Sequence, residues 1–254
     1  MDFTEKYTSD KDQRLLLRKI NDLIQTSRKQ YAVVYSAFLD PSQQALIGTV
    51  TEFYGQVEFC GGYEHAERRI CRIRTDEYNA ESDPPIALFT AEATDRNAAL
   101  SHRDVLGALM GLGIKRELIG DILPNGHSPQ FFCLESIADY LSTNLTKIGR
   151  CTVHLTRSPT ASLTEQPRLQ KNVNVSALRL DCVTAEGFGL SRTKAADAIR
   201  KGAVSLNWLV CTDPSQEIKA GDRISFRTKG KLEVLSLSGT SKKGRLFLDL
   251  AVSR

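Results

Sequence analysis

The sequence predicts an α+β protein made of three modules in series, on three observations. Two polar, proline-bearing stretches, at 76–85 and 159–175, divide the 254 residues into pieces of domain size. The middle piece runs through strand and helix periodicities in the order βαββαβ. The last piece differs in charge: residues 168–254 hold 16 Lys+Arg against 8 Asp+Glu, whereas residues 1–167 hold 18 against 22. The expected organisation is an N-terminal α/β domain over 1–80, a middle domain over 84–158, a linker over 159–175 and a basic C-terminal domain over 176–254.

In the N-terminal piece, Leu16, Lys19/Ile20, Leu23 and Ile24 recur at helical spacing and predict a helix over 10–29. Asp40-Pro41-Ser42 reads as a turn and helix start, leading into the apolar-rich segment 45–50. Gln56–Cys60 reads as a strand that ends at Gly61-Gly62. The run Gly61-Gly62-Tyr63-Glu64-His65-Ala66-Glu67-Arg68-Arg69 admits two readings. Adjacent glycines let backbone approach a phosphate, and Glu, His and Arg can move protons. A strand-ending turn followed by an ion-paired helix start explains the run equally well, and no Lys-Ser/Thr phosphate loop accompanies it.

The middle piece gives a strand at 86–91, a helix at 101–112, strands at 118–123 and 130–134 around an Asn125-Gly126 turn, a helix at 136–147 and a strand at 151–155. This order is the split βαβ arrangement of ferredoxin-like and RNA-recognition-motif domains. The fold hosts many functions. The aromatic signature of an RNA-stacking sheet, Lys/Arg-Gly-Phe/Tyr-Gly/Ala-Phe, is missing. Phe131 and Phe132 are adjacent and point to opposite faces of a strand, so one at most is available to a base. Lys115-Arg116 is a further place where phosphate could be touched.

Composition narrows the class. An apolar content of 41% with 25% charged residues is that of a globular chain, which excludes disorder and collagen-like repeats. No run approaches the ~20 apolar residues that cross a bilayer, and residues 1–11 lack the features of a secretory or transit signal. The expectation is a cytoplasmic protein without membrane contact. Its cysteines, Cys60, Cys71, Cys133, Cys151, Cys182 and Cys211, are scattered and read as reduced thiols. His65, His102, His127 and His154 lack metal spacing, so neither a metal nor a cofactor is expected.

The C-terminal piece carries the chemistry. Ser176 is a candidate cap for a short helix with Leu178, Cys182 and Ala185 on one side, closed by Gly187 and Gly189. Ser191 caps a second helix over 192–201 with an apolar stripe of Ala195, Ala198 and Ile199, and Gly202 closes it. Residues 203–207 and 223–227 alternate as strands, and Lys229-Gly230-Lys231 forms a basic turn. Arg192 and Lys194 sit in the first turn of the second helix, where cations oppose the macrodipole at roughly 0.3–1 kcal/mol each. That turn also offers free amides to an anion. A local rule broken without structural gain points to a site, and phosphate answers both features.

These residues carry a resemblance. Arg179-Leu180-Asp181, Ala185, Gly187, Ser191-Arg192, Ala195, Ile199, Gly202, Val204 and Asn207 resemble the S4 domain, an RNA-binding module. The resemblance implies that Arg179, Ser191, Arg192, Lys194, Arg200, Lys201 and Asn207 approach RNA; charge and turn position add Lys229 and Lys231. Further upstream, Phe38-Leu39-Asp40-Pro41, the Gly61–Arg69 run, His102-Arg103-Asp104-Val105-Leu106-Gly107, Gly111-Leu112-Gly113-Ile114-Lys115-Arg116 and Gly120-Asp121-Ile122 resemble the YlmH family, whose cyanobacterial members are called photosystem II S4-domain proteins. This resemblance spans nearly the whole chain. It implies non-enzymatic binding of ribosomal RNA on the large ribosomal subunit, with peptidyl-tRNA as a further partner, in ribosome-associated rescue or quality control of translation. A monomer is expected.

The alternative is an RNA-modifying enzyme. Leu178-Arg179-Leu180-Asp181 is similar to the Gly-Arg-Leu-Asp motif of pseudouridine synthases, whose Asp is catalytic. Here Leu178 stands in place of the leading Gly, and the same stretch matches the S4 helix. Under the RNA-binding reading, changing Arg192 and Lys194 to Glu is expected to abolish ribosome co-sedimentation and leave the fold intact.

Overall fold

A cap and a stripe start the first helix. The Asp10 carboxylate accepts from the Gln13 amide at 2.9 Å and opens α1, Lys11–Gln30, which buries Leu17, Ile20 and Ile24. In this computed structural model, residues 2–74, 83–162, 169–227, 229–240 and 244–253 are described. The chain divides into two compact units, Met1–Glu165 and Gln166–Arg254.

After α1 come β1 (Val34–Leu39), α2 (Pro41–Gly48), β2 (Val57–Cys60) and β3 (Arg69–Ile73). Asp40 and Gln43 cap α2 reciprocally, each side chain accepting from the other's amide at 2.9 Å. The strands form an antiparallel sheet in the order β1-β3-β2, so this region is α+β rather than βαβ-wound. Strand β3 was not legible as a strand. Its arginines at 69 and 72 interrupt the apolar pattern, and Arg68-Arg69 reads as a helix start, yet Ile70, Cys71 and Ile73 are buried in the sheet.

The second sheet is built from β4 (Ile86–Ala93), β5 (Ile119–Leu123), β6 (Gln130–Leu134), β7 (Lys147–Ile148) and β8 (Cys151–Arg157), with α3 (His102–Gly111) and α4 (Ala138–Asn144). Its order is β5-β6-β4-β8-β7, with antiparallel pairing throughout. This is the strand arrangement of the split βαβ unit. The two helices cover one face, where Phe89 stacks on Phe131 at 5.8 Å among Val105, Leu109 and Leu141.

The other face is closed by the N-terminal residues. Leu88 and Phe132 pack against Phe38 and Ile70, and the Tyr63 ring lies nearly parallel to Phe132, 5.3 Å away at 18°. Phe131 is 0% and Phe132 2% exposed. Neither ring is presented to a nucleobase, and the aromatic that strand alternation directs away from the helices is spent on an internal contact.

The Gly61–Arg69 run makes that closure. The Asp121 carboxylate, 9% exposed, accepts from the Tyr63 hydroxyl at 2.7 Å, the Glu67 amide at 2.7 Å and the Arg68 amide at 2.9 Å. The Arg68 guanidinium donates to the carbonyls of Ile119, Phe38 and Arg116 at 2.9, 3.2 and 3.3 Å. Burial and the bond to Asp121 push the Tyr63 hydroxyl pKa well above its ordinary value. Gly62 has φ +88, and a Cβ there would stand 2.6 Å from a Phe132 ring carbon. At Gly120 it would stand 2.8 Å from both Phe132 and Phe38. The glycines at 62 and 120 are therefore required by close packing, and the guanidiniums of Arg68 and Arg69 are turned onto protein carbonyls.

The second unit contains β9 (Leu169–Val175), α5 (Leu180–Phe188), α6 (Arg192–Arg200), β10 (Val204–Leu206), β11 (Leu209–Val210), β12 (Arg223–Phe226), β13 (Gly230–Thr240) and β14 (Leu246–Ser253). They form one antiparallel sheet ordered β11-β10-β12-β13-β14-β9. The expected linker over 159–175 is only in part a connection. Residues 169–175 form edge strand β9, because Val173 and Val175 alternate into the core while Lys171 and Asn172 serve the rim. Residues 163–168 lie outside the described residues.

Asp121→Ala should destabilise the N-terminal unit by about 3 kcal/mol or more in urea denaturation, since two backbone amides and a hydroxyl lose a charged acceptor. Tyr63→Phe, which removes one of the three donors, should cost about 1 kcal/mol. Equal stability of both variants and wild type would show that the carboxylate does not join the two sheets.

Candidate nucleic-acid interface

Helix α5 does not start at Ser176. Arg179 remains extended and its backbone forms an antiparallel β-bridge with Glu217; beside it the Leu180 amide donates to the Gln216 carbonyl and the Ile218 amide to the Leu178 carbonyl. Arg179 thus takes the N-cap position without a side-chain cap bond, and Asp181 falls in the first helical turn. Gly189, at φ +67, ends α5. Two residues later the Ser191 hydroxyl accepts from the Lys194 amide at 3.3 Å and opens α6.

This short turn brings the two helix starts together on one carboxylate. Asp181, 3% exposed, receives Arg179 Nε and Nη2 at 3.2 Å each, Arg192 Nε at 2.9 Å and the Cys182 amide at 2.9 Å. Burial by itself would push the Asp181 pKa up. The hydrogen bonds from Arg179, Arg192 and Cys182 outweigh it and hold the carboxyl below its ordinary value. The arginine side chains remain 39% and 55% exposed. One negative charge faces two guanidiniums, so the cluster keeps a net positive charge at the surface, with orientation supplied from below.

Arg192 therefore does not stand uncompensated at the positive end of the helix dipole, because Asp181 neutralises it from the neighbouring helix. Reversing its charge would set two carboxylates against each other. Arg192→Glu is thus a folding variant as well as a binding one, contrary to the expectation from sequence.

The remaining residues fall into distinct places. Lys194 and Lys201 are exposed and seven residues apart, hence on one stripe of the helix about 10 Å apart at ~1.5 Å per residue. Arg200 pairs with Asp197 at 3.1 Å, with both side chains more than half exposed, so the pair is weak. Asn207 is committed internally: its Nδ2 donates to Asp222 at 2.8 Å and its Oδ1 accepts from the Arg223 amide at 2.9 Å. Lys229 is exposed in the turn before β13. Lys231 follows in β13, next to Leu232, which packs under Gly187 of α5. Strand alternation puts Lys231 on the sheet face away from the helices. The cations therefore form two groups: the Arg179/Arg192 pair on Asp181 and the Lys194/Lys201 stripe, which helical geometry puts about half a turn around α6 from Arg192; Lys231 belongs to neither.

Sequence reasoning missed Trp208. β10 and β11 form a hairpin with Leu206 opposite Leu209, so Asn207 and Trp208 are its two-residue loop. Both have positive φ, 46° and 67°, the pattern that favours Asn-Gly. Asn tolerates that conformation; a Trp there carries strain on the order of 1–2 kcal/mol. Its ring lies against the Arg223 guanidinium, 5.4 Å from the centroid. The signal available beforehand was a bulky residue directly after the Asn of an alternating strand.

Comparison with known proteins agrees with this division. A family profile described as "Putative RNA-binding domain in YlmH" matches residues 80–162, and the S4 domain profile matches residues 178–224. The "Ribosome-associated protein quality control protein P2" of Bacillus subtilis is 33% identical over 244 residues, covering 92% of this chain and 93% of its own. The chain belongs to the YlmH family. The small ribosomal subunit protein uS4 of Burkholderia thailandensis is 42% identical over 66 residues, 24% of this chain and 32% of that protein. The solved structure of "Cell division protein ylmH from Streptococcus pneumoniae" shares the fold, with a TM-score of 0.52 at 24% identity, over 60% of this chain and 94% of that one. In this YlmH-family chain the S4 match holds the Asp181 cluster, α6 and the Trp208 hairpin, while Lys229 and Lys231 lie beyond it.

Because the folded pKa of Asp181 is depressed, its contribution is complete above the ordinary carboxylate value of 3.8 and is lost as pH falls through the lower folded value. Asp181→Asn should lose about 2 kcal/mol at neutral pH, a figure discounted for the exposure of both guanidiniums. The gap from wild type should close in acid. A gap that stays constant down the pH range would contradict the ion-paired cluster.

Proposed function

We propose that this protein binds structured RNA of the ribosome without altering it chemically. The ligand in this reading is large-subunit ribosomal RNA together with peptidyl-tRNA, engaged by a cytoplasmic monomer during rescue or quality control of stalled translation. The single observation that carries the reading is the Asp181-centred pair of arginines at the starts of α5 and α6, inside the S4 match. Phosphodiester oxygens suit it: two oriented, exposed guanidiniums give directional hydrogen bonds. The Lys194/Lys201 stripe adds the salt-dependent attraction that dominates affinity for nucleic acid. The name of the Bacillus relative, which covers nearly the whole chain, supports the ribosomal setting.

Asn207 acts in this reading by fixing the hairpin through Asp222 and Arg223, and Lys229 and Lys231 contribute long-range charge only. The enzymatic alternative is weaker because Asp181, its one candidate catalytic residue, is buried and fully engaged by two arginines and a backbone amide. A carboxylate so committed is not presented to a base.

Lys194→Glu/Lys201→Glu leaves Asp181 and its partners untouched. The double variant should unfold like wild type yet fail to pellet with large ribosomal subunits. Its residual RNA binding should show a log–log salt slope shallower by about 1.5, from two lost phosphate contacts at ~0.7–0.9 each. Lys231→Ala should change affinity by less than about twofold, as expected for a rim charge. Co-sedimentation of the double variant at wild-type levels would refute the reading.

A further inference from the structure

The Trp208 hairpin carries a large aromatic ring that its own folding does not require. A two-residue loop with positive φ at both positions is best served by Asn-Gly, and here the second position holds the largest side chain there is. The loop is already secured without the ring, since the Asn207 side chain bonds Asp222 and the Arg223 amide, and the Asn207 amide donates to the Arg223 carbonyl at 2.8 Å. The ring is stacked by a cation, Arg223, which is itself held by Glu233 at 3.3 Å, so its orientation is fixed while part of its surface stays open. Strain retained at a half-buried hairpin tip, where the fold does not demand it, points to a functional position.

The tip is also tied to the arginine cluster. The Arg179 backbone bridges Glu217, and two residues on the Lys219 amide donates to Asp222 at 2.7 Å. Asp222 in turn holds Asn207 beside Trp208. The backbone of Arg179 and the Trp208 hairpin are thus both anchored on one short segment, 217–223.

We propose that Trp208 is a stacking residue for an unpaired nucleobase of the bound RNA, backed by Arg223. An indole face with a guanidinium behind it suits a flat, electron-rich heterocycle, which is the usual way proteins hold single-stranded bases. The proposal rests on the RNA-binding reading and adds what that reading lacks. Arginines and lysines recognise any phosphate backbone, whereas a stacking ring selects a loop, bulge or splayed end.

The chain contains a single tryptophan, so indole emission from the full-length protein reports on Trp208 alone. Protein-free large-subunit ribosomal RNA is titrated into wild type, Trp208→Phe and Trp208→Gly, with filter binding and emission read together. Wild-type emission should be quenched in step with binding. Trp208→Gly, which relaxes the turn, should match or exceed wild-type thermal stability and yet bind about 5- to 100-fold more weakly; Trp208→Phe should stay near wild type. RNA bound at wild-type affinity by the glycine variant, or bound by wild type with unchanged emission, would overturn the stacking role and leave RNA binding standing. No binding by wild type at low salt would remove both.

Discussion

A buried carboxylate is tolerated only when every oxygen is paired, and that requirement organises both halves of this molecule. In the first unit Asp121 must be met by donors, and the donors available are the Tyr63 hydroxyl and the amides of Glu67 and Arg68. Meeting it draws the loop after β2 onto the second sheet. In the second unit Asp181 is met by Arg179, Arg192 and the Cys182 amide. Meeting it fixes the angle between the starts of α5 and α6. Hydrophobic burial supplies most of the stabilisation in each unit, but it is indifferent to orientation. The carboxylates decide which side chains end up beside one another.

The closed sheet face has a consequence for how this chain can meet RNA. A split βαβ domain offers an open sheet on the side opposite its helices, and RNA-recognition motifs stack bases there. Here Phe38, Ile70 and Tyr63 occupy that side, with glycines at 62 and 120 allowing the approach. The surfaces that residues 83–162 present are therefore helix faces, loops and edges rather than an aromatic sheet. The basic second unit holds the partly exposed guanidiniums of Arg179 and Arg192, and α6 and its C-cap carry the exposed Lys194 and Lys201.

Charge counting and charge placement give different answers in that unit. The excess of Lys and Arg extends over the whole C-terminal third, yet the strands sort it: Leu232 faces the helices, so its neighbour Lys231 faces away. Arg200 is shared with Asp197. What remains on the helix pair is smaller than the net charge suggests and better oriented, which suits recognition of a particular backbone geometry over diffuse attraction to any polyanion.

Local signals fixed much of this in advance. Periodicity marked α1, and the starts of α2 and α6 were legible because Asp40 and Ser191 act on amides three residues away; the caps that Asp10 and Ser101 make on α1 and α3 were not singled out. The βαββαβ order followed from alternation and turns, and the S4 resemblance pointed to Arg179, Arg192 and Lys194. Contacts distant in sequence were not legible. Nothing near Asp121 says that its partners lie 53–58 residues earlier, and β9 looked like a linker because its partner β14 is the last strand of the chain. Trp208 needed the hairpin register before its positive φ could be noticed. Sequence determines what a residue can do within a turn or two of its own backbone; only the tertiary structure decides which distant donor reaches a buried charge, and so which surface stays open.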